Sequence, residues 1–268
     1  MAVTTDDLLE AIETGGLLYP EVPGQMSLLP IPGVLARTSS ASHFFTNAVG
    51  AATLTPDDAD RAIAQVREHF AREAKTFGWF VGPRSRPADL GERLTAAGLQ
   101  RRADLSMAGM ALTDLSVPVR TNPEVEVRQE GRAALDDASA AMGRWMFDTP
   151  ADVMRLFNAS ATQPDAKVRV RAYLAYLAGR PKPVGFGFML YMPRTPVVLL
   201  GGAAVDPEAR RRGVYHTLVA RRLADARADG YEAAVIQAVR TTSAPRCRQV
   251  GFREVCGLEL YVWSPPPA

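Results

Sequence analysis

Three consecutive arginines and a glycine stand at the predicted start of a long helix, directly after a predicted buried strand. The strand ends at Val205, a turn containing Pro207 follows, and residues 210–213 (Arg-Arg-Arg-Gly) lead into the helix. The first turn of a helix presents unpaired N–H groups and a partial positive charge, so it binds phosphates readily. Gly213 allows close approach of the backbone to a ligand. The pattern predicts a cradle for a pyrophosphate; the alternative is an exposed basic helix start in which Gly213 serves packing.

A second candidate for chemistry is Cys247, on a predicted short helix followed by Gly251 and Phe252. A cysteine in such a place either packs as a small apolar core residue or uses its thiol in chemistry. Both remain open at this point.

The elements that must position these residues lie in the second half of the chain. Apolar runs and alternation predict strands, and apolar residues at helical spacing predict helices. The predicted strands are residues 125–128, 168–177, 184–192, 196–205, 233–236, 252–255 and 258–263. The predicted helices are residues 133–157 (interrupted near Pro150), 210–228 and 245–250. This order predicts an α+β fold with a mixed sheet and a parallel crossover in its middle.

The first half has a similar but weaker pattern. Its first forty residues are rich in glycine and proline, which predicts turns and extended pieces after a short amphipathic stretch over 6–13. The further predicted elements are a helix that begins after Thr55, a strand over 78–83, a helix over 87–97 closed by Gly98, and a strand over 107–112. A proline-bearing linker over 114–123 then separates two predicted domains, 1–118 and 119–268.

Composition narrows the class of protein. Thirty-one basic and 29 acidic side chains leave a net charge of +2, which argues against a nucleic-acid binder built on a basic face. The hydrophobic fraction of 47% excludes disorder of the whole chain, and no apolar run is long enough to span a bilayer. The acidic N-terminal residues do not form a signal peptide, and two cysteines without a histidine cluster predict no metal site, so we expect a cytoplasmic protein.

The second half resembles the GCN5-related N-acetyltransferase (GNAT) family. The family pattern V-x-P-x-x-R-x-x-G-x-G/A is matched by Val205, Pro207, Arg210 and Gly213, and the segment from Pro245 to Gly251-Phe252 resembles the family's last short helix. The resemblance covers residues 125–263. It implies an acyl-CoA N-acyltransferase fold, acetyl-CoA as co-substrate without a metal, and an amine of a small molecule or protein as acceptor. The implied acetyl-CoA contacts are Ala203, Ala204 and Val205 for the pantetheine arm, and Arg210, Arg211, Arg212, Gly213, Val214, Tyr215 and His216 around the pyrophosphate.

Two departures from the family pattern bear on catalysis. Tyr215 replaces the final Gly/Ala of the loop, and Cys247 stands where the family has the tyrosine that reprotonates the departing thiolate. The resemblance therefore implies Cys247 as the candidate proton donor, and a thiol with an unperturbed pKa of about 8.5 suits that role. In addition, no carboxylate lies on the predicted strand between Val197 and Val205. Positioning contributes more to such a reaction than proton transfer, so an acetyltransferase remains the first interpretation. The alternatives are a CoA-binding protein without catalysis and a simpler phosphate- or nucleotide-binding domain.

The first half resembles the degenerate copy of the same domain found in two-part members of the family, and the alternative is an unrelated α+β module. In such members this half shapes the acceptor cleft. Phe77, Trp79 and Phe80 are candidates for an acceptor wall or for the core, and Tyr191 and Gln237 could line the acceptor side. The sequence leaves monomer and homodimer open, although an exposed last strand would permit pairing.

Overall fold

The computed structural model describes residues 3–266, and in this range one mixed sheet of thirteen strands is covered by seven α-helices. The strands are β1 (Met26–Leu29), β2 (Leu35–Ser39), β3 (Ala48–Gly50), β4 (Phe77–Val81), β5 (Gln100–Arg101), β6 (Met107–Leu112), β7 (Val125–Gln129), β8 (Val170–Leu177), β9 (Gly185–Tyr191), β10 (Val197–Leu199), β11 (Ala203–Val205), β12 (Ala233–Val239) and β13 (Arg253–Trp263). The helices are α1 (Thr5–Thr14), α2 (Pro56–Arg72), α3 (Leu90–Ala96), α4 (Arg132–Trp145), α5 (Ala151–Ala161), α6 (Val214–Ala228) and α7 (Ala244–Val250). No helix of this range is long and apolar enough to cross a membrane.

The sheet contains the same connection twice. Its strand order is β1-β2-β3-β4-β13-β6-β12-β10-β9-β8-β7, with β11 paired to β9 and β5 paired to β13. In the first half β3 and β4 are parallel and α2 connects them, and in the second half β10 and β12 are parallel and α6 connects them. The predicted α+β fold with a parallel crossover is confirmed, and the first half repeats the crossover in a reduced form.

The two halves exchange strands. β6, from the first half, lies between β12 and β13, and β13, from the end of the chain, pairs with β4 of the first half. The sheet is therefore continuous across the predicted domain boundary at 118/119, which falls in the connection between β6 and β7. The last strand, β13, is hydrogen-bonded to β4 and to β6, so it is not an edge strand of the sheet.

Local sequence signals explain where several helices begin. The Thr55 hydroxyl accepts a hydrogen bond from the Asp58 N–H at 3.2 Å and starts α2, whose apolar side is buried. A similar cap at Thr4, reciprocated by Asp7, starts α1, so the first forty residues are more regular than predicted. The helix predicted from Arg210 begins only at Val214, because Gly213 has a φ of +73°, outside the helical region.

Two apolar layers sandwich the second half of the sheet. Residues alternate along β9: Phe186 and Phe188 face the layer formed with α1, α4 and α5, whereas Met189 faces the layer formed with α6 and α7. A third cluster packs α2 and α3 on the first half and includes Phe77 and Trp79. Both of these aromatics are fully buried in that core, which is one of the two roles considered for them.

Candidate active site

A cleft opens beside β12, because β10 pairs with β12 and the next strand, β11, does not. β10 runs beside β12 as far as the hydrogen bond from the Leu200 N–H to the Val235 carbonyl, 2.8 Å, whereas β11 pairs only with β9. The carbonyls of Gly201 and Gly202 both accept from the Phe188 N–H, which marks the irregularity between the two strands. The strand predicted over 196–205 is thus two short strands. The cleft beside them has a volume of about 860 Å³.

The loop between β11 and α6 forms one wall of this cleft. A 3-10 turn over Pro207–Ala209 is capped by Asp206, whose carboxylate accepts from the Glu208 N–H at 3.0 Å. Arg211 (φ +64°) and Gly213 (φ +73°) then adopt left-handed conformations. Alternation of this kind makes a concave set of backbone N–H groups that binds anions, and the start of α6 adds its own free N–H groups. We call residues 210–216 the anion loop.

The three arginines of the anion loop do not act together. Arg210 and Arg211 line the cleft. The Arg212 guanidinium instead contacts Glu124 at 3.1 Å, and the Arg212 carbonyl accepts from the Asn122 side chain at 2.9 Å. The resemblance implies ten residues for acetyl-CoA binding. Nine of them line the cleft, and Arg212 does not. Sequence reasoning missed Arg246, which enters the same cleft from α7.

Gly213 is constrained on the side away from the cleft. A Cβ atom on Gly213 would lie 3.1 Å from the Asn122 Cβ, and the Asn122 N–H donates to the Thr217 hydroxyl at 3.1 Å. Besides the expected role of letting a ligand approach, two structural features favour glycine at position 213. They are its positive φ and the close contact with Asn122. The predicted linker is pinned to the anion loop here.

Tyr215 reaches from α6 to α7. Its hydroxyl lies 3.3 Å from the Cys247 sulfur, and Tyr215 lines the cleft, whereas Cys247 is only 1% exposed. Burial raises the pKa of the Tyr215 hydroxyl and the pKa of the Cys247 thiol, so both groups are protonated at neutral pH. The Tyr215 hydroxyl thus lies next to Cys247, the position at which the resembled pattern has a tyrosine.

A buried arginine lies behind this pair. Arg222 is 0% exposed; its guanidinium donates to the carbonyls of Phe188 at 3.0 Å and Leu218 at 3.2 Å. It forms no ion pair with any acidic side chain of residues 3–266, and its Nη2 has no hydrogen-bond partner there. The positive charge of Arg222 opposes the rise in the pKa of Tyr215 and of Cys247. No local pattern in the sequence marks it.

The first half supplies much of the opposite wall. Its apolar residues at the cleft are Leu17, Phe45, Ala48, Phe80, Leu105 and Met107. Phe45 meets Phe147, from the α4–α5 connection, with ring centroids 6.1 Å apart. Of the residues considered for the acceptor side, Phe80 and Gln237 line the cleft, and Tyr191 does not: its hydroxyl donates to Asp229 at 2.5 Å on the other face of the sheet.

Two carboxylates line the cleft among the described residues, Glu13 of α1 and Asp148 of the α4–α5 connection. Neither lies on β10 or β11, in agreement with the absence of a carboxylate from that stretch of sequence. No cluster of three or more metal-ligating side chains occurs within residues 3–266. Besides these two carboxylates, the cleft is lined by four arginines (Arg144, Arg210, Arg211 and Arg246) and by the neutral polar side chains of Gln237, Thr241, Thr242 and Ser243.

Solved structures share this architecture over the whole chain. A GCN5-related N-acetyltransferase from Kribbella flavida has a TM-score of 0.69 at 17% identity, covering 100% of this chain and 97% of that one. A tandem GNAT protein from the clavulanic acid biosynthesis pathway has a TM-score of 0.58 at 13% identity, with 96% and 88% covered. A GCN5-related N-acetyltransferase from Sphaerobacter thermophilus has a TM-score of 0.55 at 14% identity, with 100% and 95% covered. The fold is that of a tandem GNAT protein.

Sequence comparison assigns the second half further. Residues 138–252 match the model of the acetyltransferase (GNAT) family. This segment contains β11, the anion loop, α6 and Cys247, and it ends at Phe252. No protein of curated function matches the chain significantly.

Proposed function

We propose that the protein transfers an acetyl group from acetyl-CoA to an amine, by direct attack in a ternary complex. The observation that carries this proposal is the anion loop, which opens onto the separation of β11 from β12 within the segment that matches the GNAT family model. In this proposal the N–H groups of residues 213–216 hold the pyrophosphate, and Arg210, Arg211 and Arg246 add positive charge around it. The free edge of β11 offers backbone groups to the pantetheine amides.

The residues of the cleft meet the needs of the reaction. The amine nitrogen attacks the acetyl carbonyl carbon, a C–N bond forms, and the C–S bond breaks with its electron pair on sulfur. One proton leaves the nitrogen and one is taken up by the CoA thiolate. Holding amine and thioester together supplies most of the acceleration, which the walls of the cleft can provide.

Tyr215 is our candidate for the proton donor to the thiolate. Tyr215 lines the cleft and Cys247 lies behind it, so the Cys247 thiol can donate a hydrogen bond to the Tyr215 oxygen through their 3.3 Å contact once Tyr215 has given up its proton. The proton that leaves the amine nitrogen restores the Tyr215 hydroxyl by way of water in the cleft. The role first assigned to Cys247 alone is therefore divided between the two side chains. A proton donor of this kind contributes about 10²–10⁴-fold to a rate.

A second function, binding of CoA without turnover, is favoured by one observation. Tyr215 occupies the position at which the resembled pattern has Gly or Ala, and a bulky ring there narrows the approach to the anion loop. The two functions differ in a measurable way. Free thiol released from acetyl-CoA in the presence of a panel of amines supports transfer, and saturable binding without thiol release supports the second function.

Matched variants test the anion loop itself. Arg211→Ala is expected to weaken acetyl-CoA binding in calorimetry by about tenfold, as the loss of a charge-assisted contact to phosphate predicts. Arg212→Ala is the control, since the Arg212 side chain points to Glu124. Equal affinities of both variants and the unchanged protein would place the phosphates elsewhere. Stronger competition by ATP than by CoA would favour a nucleotide-binding domain.

A further inference from the structure

We propose that the acceptor carries its amine on an aromatic or bulky apolar body, and that Glu13 binds the positive charge of that amine. This inference rests on the proposed transfer reaction and specifies its acceptor. Nothing in the family match or in the similar structures assigns an acceptor to this chain. The support comes from the apolar wall, the state of Glu13 and the distribution of charge along the cleft.

The wall away from the anion loop is apolar and rich in aromatic side chains. Both halves of the chain contribute to it: Leu17, Phe45, Phe80, Leu105, Met107, Trp145, Phe147, Phe157, Phe188 and Leu260 line the cleft. Phe147 is 54% exposed, an unusual state for a large apolar side chain, and it extends this wall towards solvent. A ligand with an apolar body would remove this surface from water, whereas a sugar would leave its hydroxyl groups against hydrocarbon.

Glu13 is a buried carboxylate without an ionic partner. It is 5% exposed, it lines the cleft, and its Oε1 accepts from the Arg84 backbone N–H at 3.0 Å. The Arg84 guanidinium contacts Asp6 and Glu10 instead, and no ion pair to Glu13 occurs among the described residues. Burial raises its pKa, and the charges of Arg84 and Arg86 oppose that rise without forming an ion pair with Glu13. A buried carboxylate of this kind is stabilised by a cation, which the ammonium form of an acceptor supplies. The ammonium group passes one proton to the Glu13 carboxylate before the neutral nitrogen attacks the thioester, and the nitrogen loses its second proton as the amide forms.

The charged groups that line the cleft come from separate elements. Arg210, Arg211 and Arg246 come from the anion loop and α7, Arg144 and Asp148 come from α4 and the α4–α5 connection, and Glu13 comes from α1. Two carboxylates among four arginines leave room for a single positive charge at Glu13, so the cleft does not suit a polyamine or an amino sugar with several ammonium groups. The first half of the chain, which has no anion loop of its own, supplies the buried carboxylate and much of the apolar wall.

The test compares three probes by calorimetry, with the protein alone and with the protein saturated with CoA. The probes are 2-phenylethylamine, 2-phenylethanol, which lacks the charge, and glucosamine, which lacks the apolar body. We expect 2-phenylethylamine to bind at least about tenfold more tightly than either, the value of one charge-assisted contact. Binding of 2-phenylethylamine no tighter than that of glucosamine or of 2-phenylethanol would overturn the proposal.

Glu13→Gln isolates the charge, because the glutamine oxygen can still accept from the Arg84 N–H. In this variant the affinities for 2-phenylethylamine and 2-phenylethanol should become equal, while acetyl-CoA affinity stays unchanged. Glu10→Gln, one turn earlier on α1 and outside the cleft, is the matched control. A preference for the amine that survives in Glu13→Gln would refute the role of Glu13. Failure of acetyl-CoA to bind would instead refute the proposed function, and the probes would still report on the acceptor.

Discussion

The hydroxyl of Tyr215 and the sulfur of Cys247 lie 3.3 Å apart, which joins the first turn of α6 to the middle of α7. These residues stand 32 positions apart in the chain, and each departs from the pattern of the family that it resembles. Their contact relates the two departures from the pattern. Tyr215, which adds a ring to the anion loop, brings its hydroxyl next to Cys247, where the resembled pattern has a tyrosine.

Tyr215→Phe removes that hydroxyl and keeps the ring. If Tyr215 donates the proton to the CoA thiolate, kcat for thiol release should fall by about 10²-fold, with little change in acetyl-CoA affinity. Tyr176→Phe is the control, because Tyr176 donates to Glu130 and does not line the cleft. An unchanged kcat for Tyr215→Phe would leave Tyr215 a packing residue.

Arg222→Met tests whether the buried charge serves the reaction at the expense of stability. Taking a charge out of water costs several kcal/mol per ion, so replacing a buried charge that lacks an ionic partner by an apolar side chain of similar length removes that cost. We therefore expect the free energy of unfolding, measured in urea, to stay the same or rise, while kcat falls. A large loss of stability would show instead that the hydrogen bonds of Arg222 to Phe188 and Leu218 hold the fold together.

Glu13→Gln should change the pH dependence of stability. Burial raises the pKa of Glu13 above its ordinary value of 4.5, so folding favours the neutral carboxyl. The stability that the folded protein gains from the neutral Glu13 carboxyl is fully present below pH 4.5, and it is lost as the pH rises through the raised pKa. The glutamine stays neutral, so the variant should gain stability over the original protein across this window and hold the gain above it. Urea unfolding at a series of pH values measures this; a gain that shrinks with rising pH would contradict it.

Gly213→Ala should destabilise the protein for two separable reasons. A left-handed backbone costs an L-residue about 1–2 kcal/mol, and the new methyl group would press on Asn122 at 3.1 Å. Gly230→Ala is the control, because Gly230 has a φ of +83° and no neighbour within 4 Å of the added Cβ. We expect a larger loss in unfolding free energy for Gly213→Ala, and equal losses would mean that Asn122 yields.

Signals that are local in the chain predicted much of the fold. The Thr55 cap, the apolar spacing of α2 and the run that became β10 each depend on neighbours in sequence, so periodicity located them. The start of α6 was placed four residues too early, because arginines are good helix formers and only the φ of Gly213 shows the break.

The site was only partly predictable, for a physical reason. The anion loop is one continuous segment and its pattern is visible in the sequence. Glu13, Tyr215 with Cys247, and Arg222 acquire their roles from contacts between distant segments. An isolated glutamate on an amphipathic helix reads as a solvated residue, and only the fold brings Glu13 into the cleft.

The positions of β6 and β13 in the sheet determine the order in which the two halves can fold during synthesis. On the ribosome, β4 emerges long before its partner β13, so one edge of β4 stays unpaired while residues 82–252 are synthesised. β6 is synthesised before the second half, but it can pair with β12 and β13 only after both of these strands have been synthesised. Pairings so distant in sequence close slowly. The sheet of the first half is therefore completed only after the second half has been synthesised, when β13 pairs with β4 and β6 and joins the two halves.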